Sequence, residues 1–218
     1  TRIARFLRTS GYPATLRIWN FLAGITQGDG DDERYRQFVL GRYRALAQDE
    51  GFERELPAAT AIGTGGGGLL IYFLAARAPG QQVENPRQLS AFRFPREYGP
   101  RSPSFSRANL LVWRDGADLF VSGTASIVGH ETRHIGAPLA QLAETLANIE
   151  ALRREADAMA PWRTEIVKLY VRDAELLRQV RASLDAAFAP GPTRLVLCGE
   201  VCRSGLDLEI ELMLSVAR

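Results

Sequence analysis

The residues best suited to chemistry lie near the C-terminus, in the stretch "LDLEIELML" over residues 206–214. Its apolar residues alternate strictly with three carboxylates, Asp207, Glu209 and Glu211. Alternation with a period of two predicts a β-strand with one buried face. Like charges on the other face repel one another. The acidic face is therefore either a solvated sheet surface or the wall of a site that uses carboxyl groups.

An internal repeat favours a site. Each part of the chain contains a strand, an amphipathic helix and a closing pair of strands, so the N-terminal part is a partial copy of the C-terminal part. Aligning "GLLIYFLA" with "GLDLEIEL" places Leu70, Tyr72 and Leu74 where the second copy has its carboxylates. A feature needed for folding would be expected in both copies. Its presence in one copy indicates a function there.

The patterns of residues 87–218 predict strands and helices in the order β-β-β-α-β-α-β-β. The first strand is expected at "RQLSAFRFP" (Arg87 to Pro95), followed by a hairpin around "RDGAD" and, towards the C-terminus, by "TRLVLCGEV" and "LDLEIELML". This order predicts an α+β fold with two helices on one face of a mixed sheet. We expect residues 1–80 to be the degenerate back half of one unit and residues 87–218 a complete unit. The first unit is then incomplete, and the chain is expected to be a fragment of a longer protein.

The composition excludes some classes of function. The 218 residues are 46% hydrophobic and carry a net charge of +2. This small positive charge does not indicate a nucleic-acid-binding protein. Lys168 is the only lysine, and the many arginines suit the binding of a small acid's carboxylates or reflect codon usage. No apolar segment is long enough for a membrane span and no signal peptide is visible, so we expect a cytoplasmic protein.

The cysteines, histidines and glycine run give no metal or phosphate motif. Cys198 and Cys202 lack a second Cys or His pair at zinc spacing, so neither a metal nor a disulfide is expected. His130 and His134 lack a third ligand, and we expect surface or capping roles for them. The run "GTGGGG" at residues 63–68 lacks the Lys-Ser/Thr of a phosphate loop and predicts a turn between strands.

Several sequence blocks together resemble one family. They are "LRIWNFL" with "ERYRQF", "FPREYGPRSPSFSRA", "SGTASIVGH", "ETLANIEAL", "KLYVRD" and "VCRS" followed by "LEIE". The unit that ends in "EIE" resembles the RidA (YjgF), chorismate-mutase-like fold, and the tandem arrangement resembles the bacterial chorismatases of the 3-hydroxybenzoate synthase type. The resemblance implies tandem RidA-like units and an enzyme that removes pyruvate from chorismate, without a metal or organic cofactor.

The resemblance also implies which residues form the site. The family's catalytic glutamate falls on Glu209, which would protonate the enol ether and then stabilise the resulting cation as an anion. The neighbouring carboxylates and partial burial are expected to raise its pKa. A cysteine at Cys202 accompanies formation of 3-hydroxybenzoate in the family, with some 4-hydroxybenzoate, whereas alanine accompanies hydrolysis; Gly123 matches a Gly/Ala position that varies in the same way. The expected substrate-binding residues are Tyr98, Arg107, Arg101, Arg203, Gly123 and Ala125.

The sequence leaves alternatives open. Cys202 could be an inert core residue, Arg101 a solvated arginine, and Arg203 the ion-pair partner of a neighbouring carboxylate. The protein could hydrolyse chorismate to a dihydroxycyclohexadiene carboxylate, act as a RidA-type imine deaminase, or bind a small acid without turnover. RidA proteins are single units that form trimers, whereas this chain fuses units, so we expect a monomer whose partner is a small-molecule substrate.

Overall fold

The computed structural model describes residues 2–156, 161–188 and 191–217, and it confirms the predicted α+β class. The stretch "PLAQLAETLANIEALRREADA" predicts a helix that ends at residue 158, and "APGP" predicts that the next helix stops at residue 189. Residues 157–158 and 189–190 lie outside the described residues. The helices are α1 (Arg2–Thr9), α2 (Arg34–Leu46), α3 (Pro138–Glu155) and α4 (Ala174–Ala187). The strands are β1 (Ala14–Ala23), β2 (Ala58–Thr64), β3 (Leu69–Ala76), β4 (Gln81–Val83), β5 (Ala108–Trp113), β6 (Gly116–Thr124), β7 (Ile127–Val128), β8 (Glu131–Thr132), β9 (Arg163–Val171), β10 (Thr193–Cys198), β11 (Glu200–Val201) and β12 (Leu208–Ala217).

The first sheet has the strand order β11-β2-β1-β3. β1 and β2 are parallel, which requires a crossover, and α2 lies in that connection. β3 returns antiparallel to β1 through the glycine run. Gly67 and Gly68 have φ angles of 95° and 77°, which glycine adopts without steric cost. The prediction that this run is a turn between strands is confirmed.

The second sheet has the strand order β10-β9-β12-β6-β5-β4, and α3 and α4 cover one of its faces. Leu208, Ile210 and Leu214 are fully buried against these helices, as the alternation in the sequence predicted. The two-helix layer on a mixed sheet is therefore confirmed. The same alternation turns the acidic side chains of β12 away from this core and towards the first sheet.

The two sheets face each other through β1 and β2 on one side and β5 and β6 on the other. Ser122 joins them, because its hydroxyl accepts a hydrogen bond from Ala59 N (2.8 Å) and donates one to Ser106 O (2.6 Å). The two sheets also share one arrangement around their parallel pairs, β2-β1-β3 in the first and β10-β9-β12 in the second. β1 and β3 thus occupy the positions that β9 and β12 occupy in the second sheet.

The stretch "TRLVLCGEV", predicted as one strand, is split between the two sheets. β10 pairs with β9 of the second sheet, and β11 pairs with β2 of the first sheet. The crossing occurs at Gly199, where a Cβ atom would lie 2.5 Å from Ile62 Cγ2. A larger residue would prevent this approach. The crossing brings the following residues, 202–206, to the junction between the sheets.

The prediction of a strand over Arg87–Pro95 is wrong. Short 3-10 helices form at Ala91–Arg93 and Arg96–Tyr98, and the edge strand is β4. The segment is held by side chains instead of by a strand ladder. Gln88 Nε2 donates to Ile127 O (3.0 Å). Arg87 pairs with Glu144 of α3. These anchors place the Arg96–Tyr98 turn beside the junction of the two sheets.

Candidate active site

A cavity of about 340 Å³ lies at the junction of the two sheets. Its wall is formed by α2 and β2 on one side, and by β6 with the segments 103–107 and 202–209 on the other. Both parts of the repeat therefore contribute to one site. The predicted site residues that line it are Glu209, Cys202, Tyr98, Arg107, Arg203, Gly123 and Ala125.

Glu209 presents a buried carboxyl group to this cavity and is only 5% exposed. Burial, and next the charge of Glu211, raise the pKa of Glu209 to about 8. The carboxyl lies directly over Gly123, where a Cβ atom would meet Glu209 Oε1 at 1.9 Å. The absence of a side chain at residue 123 is therefore what makes room for the acid. A carboxyl group that keeps its proton near neutral pH can serve as a general acid.

Glu211, two residues further along β12, has a different protonation state from Glu209. It accepts hydrogen bonds from Arg17 Nη2 (2.6 Å) and Trp19 Nε1 (2.7 Å), and Lys168 Nζ lies 2.8 Å from its Oε1. Burial alone would raise the pKa of Glu211, but the charges of Arg17 and Lys168 lower it below its ordinary value. Glu211 is therefore a fixed anion that joins the two sheets.

Asp207, at the start of the acidic face, is bound to α3. Its carboxylate accepts a hydrogen bond from Gln141 Nε2 (3.0 Å), and its backbone N–H donates to Gln141 Oε1 (2.8 Å). The three carboxylates that the sequence shows as equivalent thus have three environments. Of these three, Glu209 is the one that lines the cavity.

Cys202 lies between the cavity and a small apolar cluster. It is half-buried and packs against Ala125, Ile127, Val201 and Leu206. Burial, and next the charge of Glu209, raise the pKa of the Cys202 thiol to about 12. The side chain is therefore a neutral thiol at neutral pH and is not poised as a thiolate nucleophile. It can influence the reaction through shape and through the exclusion of water.

Arg107 and Arg203 line the cavity and form no ion pair with the described residues. Arg107 is 4% exposed, and its Nη2 donates to Leu89 O (2.8 Å), while its buried Nε has no hydrogen-bond partner in the described part of the chain. Burial lowers the pKa of Arg107 to about 10, so it remains a cation at neutral pH. Arg203 lies over the Tyr98 ring at 4.0 Å and donates to His130 O (2.8 Å). Such donors suit the carboxylates of a small acid.

Arg101 is placed differently from the other predicted residues. Its guanidinium stacks over the ring of Tyr43, 4.5 Å from the centroid, and it does not line the cavity. Arg203 is also not the ion-pair partner of a described carboxylate, which had been the alternative interpretation of that residue. His130 approaches the Tyr98 hydroxyl (3.3 Å), and His134 approaches Glu144 (3.1 Å).

The residues that the first sheet and α2 supply to the cavity were not predicted from the sequence. Tyr35 lines the cavity close to Cys202, and burial raises its pKa well above the ordinary value. Arg42 also lines the cavity, and burial lowers its pKa to about 10. Thr60 accepts a hydrogen bond from Gly123 N (3.0 Å). One feature of the sequence could have pointed to this part of the site. Arg17 is a charged residue within the mostly apolar strand "LRIWNFL", and the structure shows that it is buried.

No group of three or more His, Cys, Asp or Glu side chains within the described ranges is arranged to hold a metal ion. None of the helices described is both long enough and apolar enough to cross a membrane.

Comparisons with known proteins point to one family. The family model described as "Chorismatase FkbO/Hyg5-like, N-terminal" matches residues 1–75. A 3-hydroxybenzoate synthase from Streptomyces hygroscopicus is 39% identical over 94% of this chain and 64% of its own length. A chorismatase from Streptomyces rapamycinicus is 41% identical over 97% of this chain and 67% of its own length.

A crystal structure of a chorismatase superimposes with a TM-score of 0.89 at 36% identity, covering 98% of this chain and 67% of that protein. The chain thus spans about two thirds of the length of these relatives, between 64% and 67%. The match extends over nearly all of the present chain, including both sheets and the cavity between them.

Proposed function

We propose that this chain, which belongs to the chorismatase family, removes pyruvate from chorismate and releases 3-hydroxybenzoate. The observation that carries the proposal is Glu209, a buried carboxyl group with a pKa of about 8 that faces a cavity containing unpaired guanidinium groups. Chorismate presents two carboxylates and an acid-sensitive enol ether. The cavity offers cationic groups for the carboxylates and a proton donor for the ether.

In the proposed reaction, Glu209 gives its proton to the methylene carbon of the enolpyruvyl group, and the C=C electron pair forms the new C–H bond. The neighbouring carbon becomes oxocarbenium-like, and the carboxylate left on Glu209 stabilises it. The ring hydroxyl oxygen next to the ether then bonds to the ring carbon that carries the ether, and its proton returns to the Glu209 carboxylate. The bond from that carbon to the ether oxygen breaks, and its electron pair leaves with the released pyruvate. The other C–O bond of the resulting epoxide opens, and loss of the proton from the carbon that keeps the oxygen gives the aromatic acid. The two products together contain every atom of chorismate, so no water is consumed.

Substrate carboxylates are proposed to bind to Arg107 and Arg203, with Tyr98 beside them. Both guanidiniums have donors left over after their contacts with backbone carbonyls, and the Tyr98 ring holds Arg203 in place by stacking at 4.0 Å. Arg101 is not included in this proposal, because its guanidinium lies over Tyr43. Gly123 and Ala125 are proposed to form the small-residue wall beneath the substrate ring.

We expect Cys202→Ala to shift products from 3-hydroxybenzoate towards the dihydroxycyclohexadiene carboxylate. Truncation of the thiol opens space beside Glu209 in which a water molecule can compete with the ring oxygen for the reacting carbon. Chromatography of the organic acids after chorismate turnover measures the ratio. Cys198→Ala is the matched control, since Cys198 is exposed on β10 and should leave the ratio unchanged. An identical product ratio in Cys202→Ala would return this residue to a packing role.

The pH dependence follows from the protonated state of Glu209. Because the reaction requires the neutral acid, kcat/KM is expected to be high below the pKa of about 8 and to fall about tenfold per pH unit above it. The same proton affects stability. The unfolded chain releases it near the ordinary value of 4.5, so the folded state loses stability as pH rises from about 4.5 to about 8. A rate profile whose descending limb lies near pH 5 would contradict this assignment.

The deciding assay is incubation of the purified protein with chorismate, followed by separation of the organic acids. Pyruvate with 3-hydroxybenzoate supports the proposal in full. Pyruvate with a non-aromatic diene acid supports the hydrolytic alternative on the same site. If chorismate is not consumed, the proposed activity is wrong, and an imine deaminase assay and hydroxybenzoate binding then test the two remaining alternatives.

The domain division is also proposed. Residues 1–80 contain the first sheet except β11, and their β1-α2-β2-β3 order corresponds to β9-α4-β10-β12 within residues 87–218. β4, at Gln81–Val83, belongs to the second sheet although it precedes residue 87.

We propose that the enzyme acts as a monomer, since one chain supplies both walls of the cavity. We also propose a cytoplasmic location, in keeping with its two free cysteines.

A further inference from the structure

Arg17 is a buried cation of the first sheet that the proposed reaction has not yet used. It is 2% exposed and lies in the middle of β1, opposite the acidic face of β12. Its Nη2 donates to Glu211 Oε2 and to Thr60 Oγ1, whereas its buried Nη1 has no hydrogen-bond partner among the residues that the structure describes. A buried cationic donor without an acceptor is costly, so its retention requires an explanation.

The charges around Arg17 are unbalanced while Glu209 is protonated. Arg17 and Lys168 are both cations, and Glu211 is the anion that they share. Together, Arg17, Lys168 and Glu211 carry a net charge of +1. Ionisation of Glu209 would bring the combined charge to zero. The group of four residues formed by Arg17, Lys168, Glu211 and Glu209 is therefore neutral only after the proton has left Glu209.

The geometry places Glu209 within reach of this surplus charge. The Glu209 carboxyl lies over Gly123, whose N–H donates to Thr60 Oγ1 (3.0 Å), and the same oxygen accepts from Arg17. Glu209 and Glu211 also project from the same face of β12. Thr60 thus joins the Arg17 guanidinium to the backbone directly beneath the acid.

We infer that Arg17 is a positioning residue, whose guanidinium is the counterion that the Glu209 carboxylate gains when its proton passes to the substrate. The inference rests on the proposed role of Glu209 as the proton donor. Arg17 touches neither the substrate nor the reacting carbon. It acts through Glu209, by stabilising the anion more than the neutral acid, and so assists a step in which that anion forms.

Most other titratable groups around Glu209 carry no charge that could balance its carboxylate. Burial raises the pKa values of Cys202, Tyr35 and Tyr170, so these groups are neutral near pH 7. Arg107 is a second cation whose charge lowers the pKa of Glu209, after that of Arg17. Unlike Arg17 it lines the cavity, where it is proposed to bind a substrate carboxylate. The groups that face Glu209 are Glu211 of β12, Arg17 of β1, Tyr170 of β9, Tyr35 of α2, and Arg107 and Cys202 of the two cavity segments.

The test compares four variants with the wild type: Arg17→Met, Arg17→Lys, Glu211→Gln and the double variant Arg17→Met with Glu211→Gln. For each, kcat and KM are measured across pH, and the carboxyl carbon of Glu209 is titrated by NMR in protein labelled with ¹³C-glutamate. The Glu209→Gln protein assigns the signal. Arg178→Met is the matched control, since Arg178 makes an exposed ion pair with Glu175 on α4.

We expect Arg17→Met to lower kcat at neutral pH by about tenfold or more, with little change in KM, and to move the Glu209 titration to higher pH. Arg17→Lys should restore most of the rate. Glu211→Gln should move the titration to lower pH, because two cations then act on Glu209 without the anion. The double variant again has a surplus of +1, so it should be faster than Arg17→Met alone.

Circular dichroism and thermal unfolding identify the variants that fold. An unshifted Glu209 titration in folded Arg17→Met, or a double variant that is folded and slower than Arg17→Met, would overturn the inference. If neither protein with Arg17→Met folds, Glu211→Gln decides alone, and an unshifted or raised titration contradicts the inference. Failure of the wild type to consume chorismate would overturn the proposed function alone, because the NMR titration measures the coupling of Arg17 to Glu209 without substrate.

Discussion

Glu209→Gln is expected to reduce pyruvate release from chorismate by about 10³-fold or more, while the protein stays folded and still binds hydroxybenzoate. The amide has nearly the size and shape of the protonated carboxyl group. It cannot donate a proton of comparable acidity, and it does not become an anion that could stabilise the oxocarbenium-like centre. Both contributions of Glu209 are therefore lost together. The surrounding packing, including the contact with Gly123, is preserved.

The measurement is single-turnover pyruvate formation, together with hydroxybenzoate binding by calorimetry. Asp207→Asn is the matched control, since it makes the same kind of chemical change two residues before Glu209, just ahead of β12. Asp207 binds Gln141 of α3 and does not line the cavity, so this variant should keep a rate within about threefold of the wild type. Near-normal pyruvate release by Glu209→Gln would show that another group protonates the enol ether.

The behaviour of the acidic strand shows how far the sequence could lead. The alternation in "LDLEIELML" correctly predicted which side of β12 packs into the apolar core beneath the helices, because a strand has a fixed period of two. It did not predict that the acidic side is also buried, with Glu209 5% and Glu211 4% exposed. It could not distinguish the role of Glu209 from that of Glu211, since both are glutamates on the same face of the strand. Their difference arises from Arg17 and Lys168, which lie on other strands far away in the sequence. Pairing across two sheets is invisible to a local pattern.

The prediction of a strand over Arg87–Pro95 failed for a related reason. Its alternating residues satisfied the pattern of a strand, but its polar side chains bind Asn148 and Glu144 of α3 and Ile127 of β7. Tertiary hydrogen bonds therefore overrode the local pattern. Tyr98 was nevertheless placed at the cavity, because its selection rested on its place in the block "FPREYGPRSPSFSRA" and required no particular secondary structure. Arg101 in the same block was not, since it stacks on Tyr43 of α2.

The wall of the cavity makes a second large effect testable, through Gly123→Ala. The added Cβ would lie 1.9 Å from Glu209 Oε1 and 2.6 Å from Glu209 Cδ, distances that force the carboxyl group to move. Glu209 is the flexible partner in this clash, so the backbone of β6 can stay in place while the acid is displaced. A displacement of about 1 Å at a reacting group can cost about 10²-fold in rate. We expect a loss of about that size in kcat.

Thermal unfolding and product analysis separate this effect from damage to the fold. Overpacking by one methyl group costs about 1 to 3 kcal/mol, so Gly123→Ala should remain folded at 25 °C. Gly66→Ala is the matched control, because a Cβ at Gly66 meets nothing within 4 Å, and it should leave the rate unchanged. The residual products of Gly123→Ala should be enriched in the diene acid, as the resemblance implies for alanine at this position. Unchanged rate and products would mean that the Glu209 carboxyl does not react from its place above residue 123, and the site would then have to be rebuilt around another conformation of the acid.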